Sequence, residues 1–344
     1  MINFAIVGCG HIAKKHAEAI NNIENARLVA VCDRIKENME YYNENYGVKT
    51  YIDLKQLLDD KEIDVVCICT PSGSHAPIAV QVAKAKKHVV VEKPIALRIE
   101  DAEEIIFACQ ENNVKLSVVH PNRFRPAILA LKEVMEKGLL GRISHANATV
   151  RWNRNQAYYD QAEWRGTKEN DGGVLMNQAI HNLDLLTWLV GDLEEVFSMS
   201  ATRFRNIEAE DVSTGIVKFK SGALGVVEAA STIYPKNLEE TISIFGERGT
   251  VKIGGTTANL IEHWNIESMD EAETNELISS IKGDPLGKPG HQWIIEDMVQ
   301  AIKEDREPIV NGEDGKKALE FVSMMYHSAE VGKKIKVIQP VLVD

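Results

Sequence analysis

Residues Asn3–Ala13 read NFAIVGCGHIA, and this stretch constrains the fold more than any other. Phe4–Val7 is an apolar run of strand length, and Ala13 with Lys14–Ile20 has the mixed pattern of a helix exposed on one side. Between them, Gly8-Cys9-Gly10-His11-Ile12-Ala13 fits the dinucleotide fingerprint G-x-G-x-x-G/A. Gly8 permits the tight turn out of the strand, Gly10 lets a pyrophosphate approach the backbone, and Ala13 allows close helix–strand packing. The helix N-terminus offers free N–H groups and partial positive charge. Gly8, Cys9, Gly10, His11 and Ile12 are therefore the candidate phosphate cradle. The alternative is a strand–helix turn that holds no ligand.

Context favours the nucleotide. A second apolar run, Leu28–Cys32, ends in Asp33, 20 residues after Ala13, where a carboxylate can hold an adenosine ribose by its hydroxyls. Arg34 would suit a 2′-phosphate, but Asp33 takes the first position and repels one, so the expected cofactor is NAD rather than NADP.

The chain of 344 residues is long enough for two domains. Its net charge of −12 argues against nucleic acid or an anionic membrane as partner, so an anionic substrate needs a local basic pocket. No apolar run approaches a membrane span and the first residues read as a strand, so a cytoplasmic protein is expected. Four of the five cysteines (Cys9, Cys32, Cys67, Cys69) fall in or just after strand runs. They read as buried thiols, with neither a disulfide framework nor a metal site.

From Asn3 to Val119 strands and helices alternate. Strand runs are Phe4–Val7, Leu28–Cys32, Val65–Cys69, Val89–Val91 and Lys115–Val119. Such alternation implies an α/β domain with a parallel sheet, whose ligands lie at the carboxyl ends of the strands. Thr70-Pro71-Ser72-Gly73-Ser74-His75 is one such end. It reads equally as a turn with Ser74 capping the next helix and as the loop crossing the cofactor riboses, through Thr70, Pro71, Ser72 and His75. Glu92-Lys93-Pro94 is another, where Pro94 ends the ladder. A lysine there is a candidate electrophile for a hydroxyl or carbonyl; the alternative is a solvated charge.

At this point the chain resembles the glucose–fructose oxidoreductase/inositol dehydrogenase (Gfo/Idh/MocA) family. The motifs are AIVGCGHIA at 5–13, Asp33, CTPSGSH at 69–75, VEKP at 91–94 and GGVLMNQAIHNLDLL at 172–186. The resemblance covers essentially the whole chain. It implies a Rossmann NAD-binding domain over residues 1–120 and a C-terminal α/β domain with an open, mostly antiparallel sheet over 121–344. It also implies that Lys93 and His181 carry hydride chemistry and that Glu92 and Lys93 lie at the cofactor. Many members have aspartate four residues before that histidine; here it is Asn177, which can hydrogen-bond a substrate but cannot take a proton. Within the family, 150–167, 176–186 and 234–255 look like the UDP-N-acetyl-2-amino-2-deoxyglucuronate dehydrogenases, which make a 3-keto sugar nucleotide for surface polysaccharide. Some of these keep NAD(H) bound and reoxidise it with 2-oxoglutarate, an implied further partner.

In the second domain, Asn122 and Arg123 follow the last strand of the first. They could touch nicotinamide or substrate, or serve as polar contacts between domains. The loop Trp152–Lys168, with its flanks, holds Arg151, Arg154, Arg165, Lys168, Tyr158, Tyr159, Trp152 and Trp164. Guanidinium forks and aromatic faces suit an anionic ligand with a flat base. Arg123, Arg154, Tyr159, Arg165 and Tyr234 are thus substrate candidates, and Trp164 and Arg165 also cofactor candidates. The alternative is a solvated loop closing on a neighbouring subunit.

Gly172–Val190 reads as a helix that places Asn177, His181 and Asp184 on one face. Polar residues in an otherwise apolar helix each need a partner or a task. His181 is read as acid/base, Asn177 as substrate-orienting, and Asp184 as orienting the histidine or capping structure. The other nine histidines show no pairing that resembles a metal site. Leu193–Trp264 alternates as hairpins, Glu267–Gly290 reads as a polar loop, and two helices, about His291–Lys303 and Gly315–Val331, close the chain. An open sheet needs cover on its outer face, so a homo-oligomer, dimer or tetramer, is expected through the C-terminal sheet.

The expected activity is NAD-dependent oxidation of the 3-hydroxyl of a UDP-N-acetyl-hexosaminuronic acid, in a site formed only where the two domains meet. The rivals are a dehydrogenase of a free sugar or polyol such as inositol, and a non-catalytic nucleotide-binding sensor on the same fold.

Overall fold

The first apolar runs become a six-stranded parallel sheet in the computed structural model, which describes residues 1–337. In chain order these elements are β1 (Ile2–Val7), α1 (His11–Asn21), β2 (Ala26–Cys32), α2 (Glu37–Tyr46), β3 (Lys49–Tyr51), α3 (Leu54–Asp59), β4 (Val65–Ile68), α4 (His75–Lys84), β5 (His88–Val91), α5 (Ile99–Glu111) and β6 (Leu116–Val118). The order across the sheet is β3-β2-β1-β4-β5-β6, so the winding reverses between β1 and β4. Ile6 registers against Val31 on one side and Cys67 on the other. Central strands buried on both faces are why β1, β4 and β5 read as continuous apolar runs. The polar edge strand β3 gave no such signal.

The second sheet has eight strands in the order β13-β12-β11-β7-β10-β9-β8-β14. Its elements follow α6 (Pro126–Glu136): β7 (Ile143–Arg151), α7 (Gln156–Tyr159), α8 (Ile180–Val190), β8 (Leu193–Ala201), β9 (Val212–Phe219), β10 (Leu224–Ala230), β11 (Glu239–Gly246), β12 (Gly249–Gly254), β13 (Leu260–Ile266), α9 (Glu271–Gly283), α10 (Gly290–Glu304), α11 (Gly312–Val331) and β14 (Ile335–Lys336). Every pairing is antiparallel except β7 with β10. Helices α6 and α8 cover one face, packing on β7, β11 and β12. The other face carries Phe197, Met199, Ile216, Leu224 and Val226, all exposed.

The described chain forms two compact units. The first comprises Met1–Phe124, Glu169–Asp171 and Lys288–Leu319; the second comprises Arg125–Lys168, Gly172–Gly287 and the chain from Glu320. Helix α10 therefore belongs to the first unit, packed on α1. Two local expectations need correction. The stretch expected to be a polar loop, Glu267–Gly290, contains α9, whose start is a capping box: Asp270 accepts from the Glu273 amide at 2.8 Å and Glu273 accepts from the Asp270 amide at 3.0 Å. The helix expected from Gly172 begins instead as a π-helical turn, Val174–Ala179, before α8.

Candidate active site

In the first unit, the strand–turn–helix is built as its glycines require. Gly8 has φ +89°, and a Cβ there would lie 2.8 Å from the Cys69 carbonyl carbon. Gly10 is extended, and a Cβ on it would meet nothing within 4 Å. No side chain caps α1, so its first N–H groups stay available to an anion, as a pyrophosphate requires. His11 is exposed and Ile12 half-buried beside them.

The Cys9 amide donates to Asp33 Oδ2 at 2.8 Å, and the Ile35 amide to Oδ1 at 2.8 Å. Asp33 is half-buried and Arg34 exposed. All five cysteines are buried free thiols. Burial chiefly, then the Asp33 carboxylate, pushes the Cys32 thiol up to about 11, so it stays protonated and unreactive.

The Thr70–His75 turn holds itself by its own side chains. Ser74, expected to cap α4, makes no cap bond; its hydroxyl donates back to the Pro71 carbonyl at 2.7 Å and lies 2.9 Å from the Thr70 hydroxyl. Pro71 is half-buried and Ser72 buried. His75 is buried between two turns, with Nδ1 2.8 Å from the Pro94 carbonyl and Nε2 3.0 Å from the Thr70 carbonyl. Its ring thus ties this loop to the Glu-Lys-Pro turn rather than facing outward. Burial lowers its pKa.

Glu92 is buried at the end of β5. Its Oε1 lies 2.8 Å from His16 Nε2 and 3.3 Å from His291 Nε2, and its Oε2 accepts the Lys93 amide at 3.2 Å. Burial would raise the carboxyl, but the two imidazoles hold it well below the usual range. No pairing that resembles a metal site is expected of the other histidines, yet His16 and His291 meet on Glu92, with one ligand atom of each within 4.8 Å of the others. Residues 16, 92 and 291 meet through the fold, not through spacing. The available sequence signal was His16 on the buried Ala13–Ala17–Ile20 stripe of α1. Lys93 itself is half-buried. Asn122 and Arg123 are buried, and Arg123 pairs with Asp314 at 3.3 Å.

In the second unit, the π-turn is anchored by Glu210, which sequence reasoning missed. Its Oε1 accepts the Leu175 amide at 2.9 Å and the Tyr326 hydroxyl at 3.1 Å, while that hydroxyl accepts the Gly173 amide at 3.2 Å. Burial pushes Glu210 up to about 7. On this segment Asn177 and His181 are half-buried between buried neighbours, and Asp184 is fully buried. Asn177 Oδ1 accepts from Gln178 at 3.0 Å.

The arginine–aromatic loop does come together. Arg165 donates to the Tyr158 hydroxyl at 2.7 Å, its guanidinium 4.4 Å from the Tyr158 ring centre and 4.7 Å from that of Trp164. Arg154 lies 4.8 Å from the Trp152 ring centre and 5.3 Å from that of Tyr158. Tyr159 packs edge-on against Tyr158, ring centres 5.2 Å apart, and is buried with its hydroxyl 3.2 Å from Ser231 Oγ. Tyr234 is 91% exposed, and Arg151 at the end of β7 is paired with Glu228 and Glu239.

Comparison with known proteins agrees with both units. The oxidoreductase family with an NAD-binding Rossmann fold matches residues 2–120, and the GFO/IDH/MocA C-terminal domain matches residues 128–252. The WlbA dehydrogenase of Chromobacterium violaceum, solved with NADH and UDP-GlcNAcA, is 38% identical with a TM-score of 0.93, over 98% of this chain and 96% of its own. That of Bordetella pertussis, in the same kind of complex, is 37% identical with a TM-score of 0.91, over 98% of both chains. The myo-inositol 2-dehydrogenase of Thermotoga maritima is 28% identical over 97% of this chain and 98% of its own. With an NAD-binding Rossmann unit and the matching C-terminal domain both present, the chain belongs to the Gfo/Idh/MocA family of oxidoreductases.

Proposed function

We propose that the protein reversibly oxidises the 3-hydroxyl of a UDP-N-acetyl-hexosaminuronic acid to the 3-ketone, a step toward surface polysaccharide. The observation that carries this reading is the stack of Arg154 and Arg165 on Trp152, Tyr158 and Trp164. Two guanidinium forks among aromatic faces suit a ligand with a diphosphate, a carboxylate and a flat base. The WlbA structures, solved with NADH and UDP-GlcNAcA, support the same substrate class.

In this reading Asn177 orients the sugar. Lys93 hydrogen-bonds the reacting oxygen and stabilises its developing negative charge, while His181 takes the hydroxyl proton. NAD, when bound, supplies the acceptor for the hydride that leaves the ring carbon. Gly8, Cys9, Gly10, His11 and Ile12 hold its pyrophosphate, and Asp33 its adenosine ribose. A second copy of the chain covers the apolar outer face of the eight-stranded sheet.

Free-polyol oxidation is the second reading, favoured by the likeness to myo-inositol 2-dehydrogenase. The test is NADH formation by the purified protein with UDP-GlcNAcA or with myo-inositol, with and without 2-oxoglutarate to reoxidise bound cofactor. Turnover of the sugar nucleotide alone, abolished by Lys93→Ala and by His181→Ala with NADH binding retained, supports the proposal. Turnover of inositol alone, or none in the folded protein, rejects it.

A further inference from the structure

The His16–Glu92–His291 cluster gathers three elements of the first unit: α1, the turn after β5, and the start of α10. Glu92 is 6% exposed and His16 1%. A carboxylate so placed is costly unless its lone pairs are filled. Here Oε1 is filled by the two imidazoles and Oε2 by the Lys93 amide.

The protonation pattern follows from the donors. A carboxylate only accepts, so each ring presents an Nε2–H to it. Among the described residues, His16 Nδ1 is buried with no hydrogen-bond partner. A bare lone pair there is tolerable. A ring that ligated a metal through Nε2 would instead carry a buried N–H with no acceptor, and ligating histidines normally donate that proton. Hydrogen bonds therefore explain the cluster better than a metal does. The titratable groups that interact with the Glu92 charge are His16, His291, His75, Cys67 and Cys69.

We propose that Glu92, clamped by His16 and His291, is the positioning group that fixes the turn carrying Lys93. The two histidines act only through it. The proposal rests on Lys93 serving the reaction proposed above. It assigns a task to His16 and His291 and commits the Glu92 carboxylate to the protein rather than to the cofactor.

Glu92→Gln is the informative variant. A carboxamide cannot accept from two imidazoles on one side and from the Lys93 amide on the other. The expected result is a kcat lowered about 10- to 100-fold, with KM for the sugar nucleotide and Kd for NADH within about threefold. His291→Phe keeps a ring but removes one donor, lowers kcat by about threefold to tenfold, and serves if the glutamine variant does not fold. Amide hydrogen exchange over residues 91–96 should quicken about tenfold or more in both, while exchange in β1 is unchanged. A kcat within twofold of the parent, or unchanged exchange over 91–96, overturns the proposal. So does one equivalent of metal in the purified protein that is lost in Glu92→Gln. If the parent oxidises no sugar or polyol, the reaction reading has failed by itself, and the exchange result alone decides the anchor.

Discussion

The Cys9 amide donates to Asp33 Oδ2 at 2.8 Å, joining the glycine turn to the end of the neighbouring strand. Asp33 therefore holds the turn and, in the proposed reading, the adenosine ribose as well. Asp33→Asn removes the charge that repels a 2′-phosphate and weakens both bonds. A charge-assisted hydrogen bond is worth about 1.5–3 kcal/mol, so NADH should bind about 10- to 100-fold more weakly while NADPH loses little or gains. Fluorescence titration with both coenzymes measures the ratio.

Gly8 and Gly10 make opposite demands. Alanine at Gly8 puts a side chain at φ +89° and 2.8 Å from the Cys69 backbone, so Gly8→Ala should lower Tm by about 5 °C or more. Alanine at Gly10 points into open space, so Gly10→Ala should leave Tm within about 2 °C. In the proposed reading the same methyl stands in the path of the pyrophosphate, and NADH affinity should drop about tenfold or more. A ligand-free structural turn predicts stability effects without that loss.

What the sequence made legible was local. The period-2 and period-3.6 patterns, the two-glycine turn and the strand-ending Glu-Lys-Pro are signals carried within a few residues, and they place Gly8, Asp33 and Lys93 at strand ends. Residues that meet through the fold carried no such signal. His16, Glu92 and His291 converge from distant positions, and Glu210 anchors a helix start 35 residues before it in the chain, at Leu175. Polarity on a buried stripe was the available hint for His16. For α9 the hint was stronger, since Asp270-Glu271-Ala272-Glu273 spells a capping box inside what reads by composition as a loop. The π-turn before α8 follows from no residue preference we can name.

Glu210 should give the fold a pH slope. Its folded-state pKa, about 7, lies above the ordinary glutamate value of 4.5, so the folded protein holds a proton that the unfolded chain releases. Stability from this group is complete below pH 4.5 and is lost as pH rises through about 7, at about 1.4 kcal/mol per pH unit and about 3 kcal/mol in all. Glu92 works in the opposite direction, its contribution lost as pH falls below the ordinary carboxylate range. Glu210→Gln keeps an oxygen for the Leu175 amide but cannot ionise. Denaturant unfolding at pH 5 and pH 8 should show the difference between the two pH values shrinking by about 2.5 kcal/mol in the variant. An unchanged difference means that Glu210 is ionised in the folded protein throughout that range.

The outer face of the eight-stranded sheet tests the assembly. Along β9 the side chains alternate, with Val217 and Phe219 inward and Ile216 outward at 60% exposure. Phe197, Leu224 and Val226 stand exposed on the flanking strands β8 and β10. An apolar patch of this kind on a sheet is costly in water and is removed by covering it. Ile216→Asp with Val226→Asp places two carboxylates in the patch without touching the inward residues, so each subunit should stay folded. Light scattering on the parent should report a dimer or tetramer, and on the double variant a monomer with an unchanged far-ultraviolet spectrum. A monomeric parent, or an oligomer that tolerates both charges, means that another surface, or none, joins the subunits.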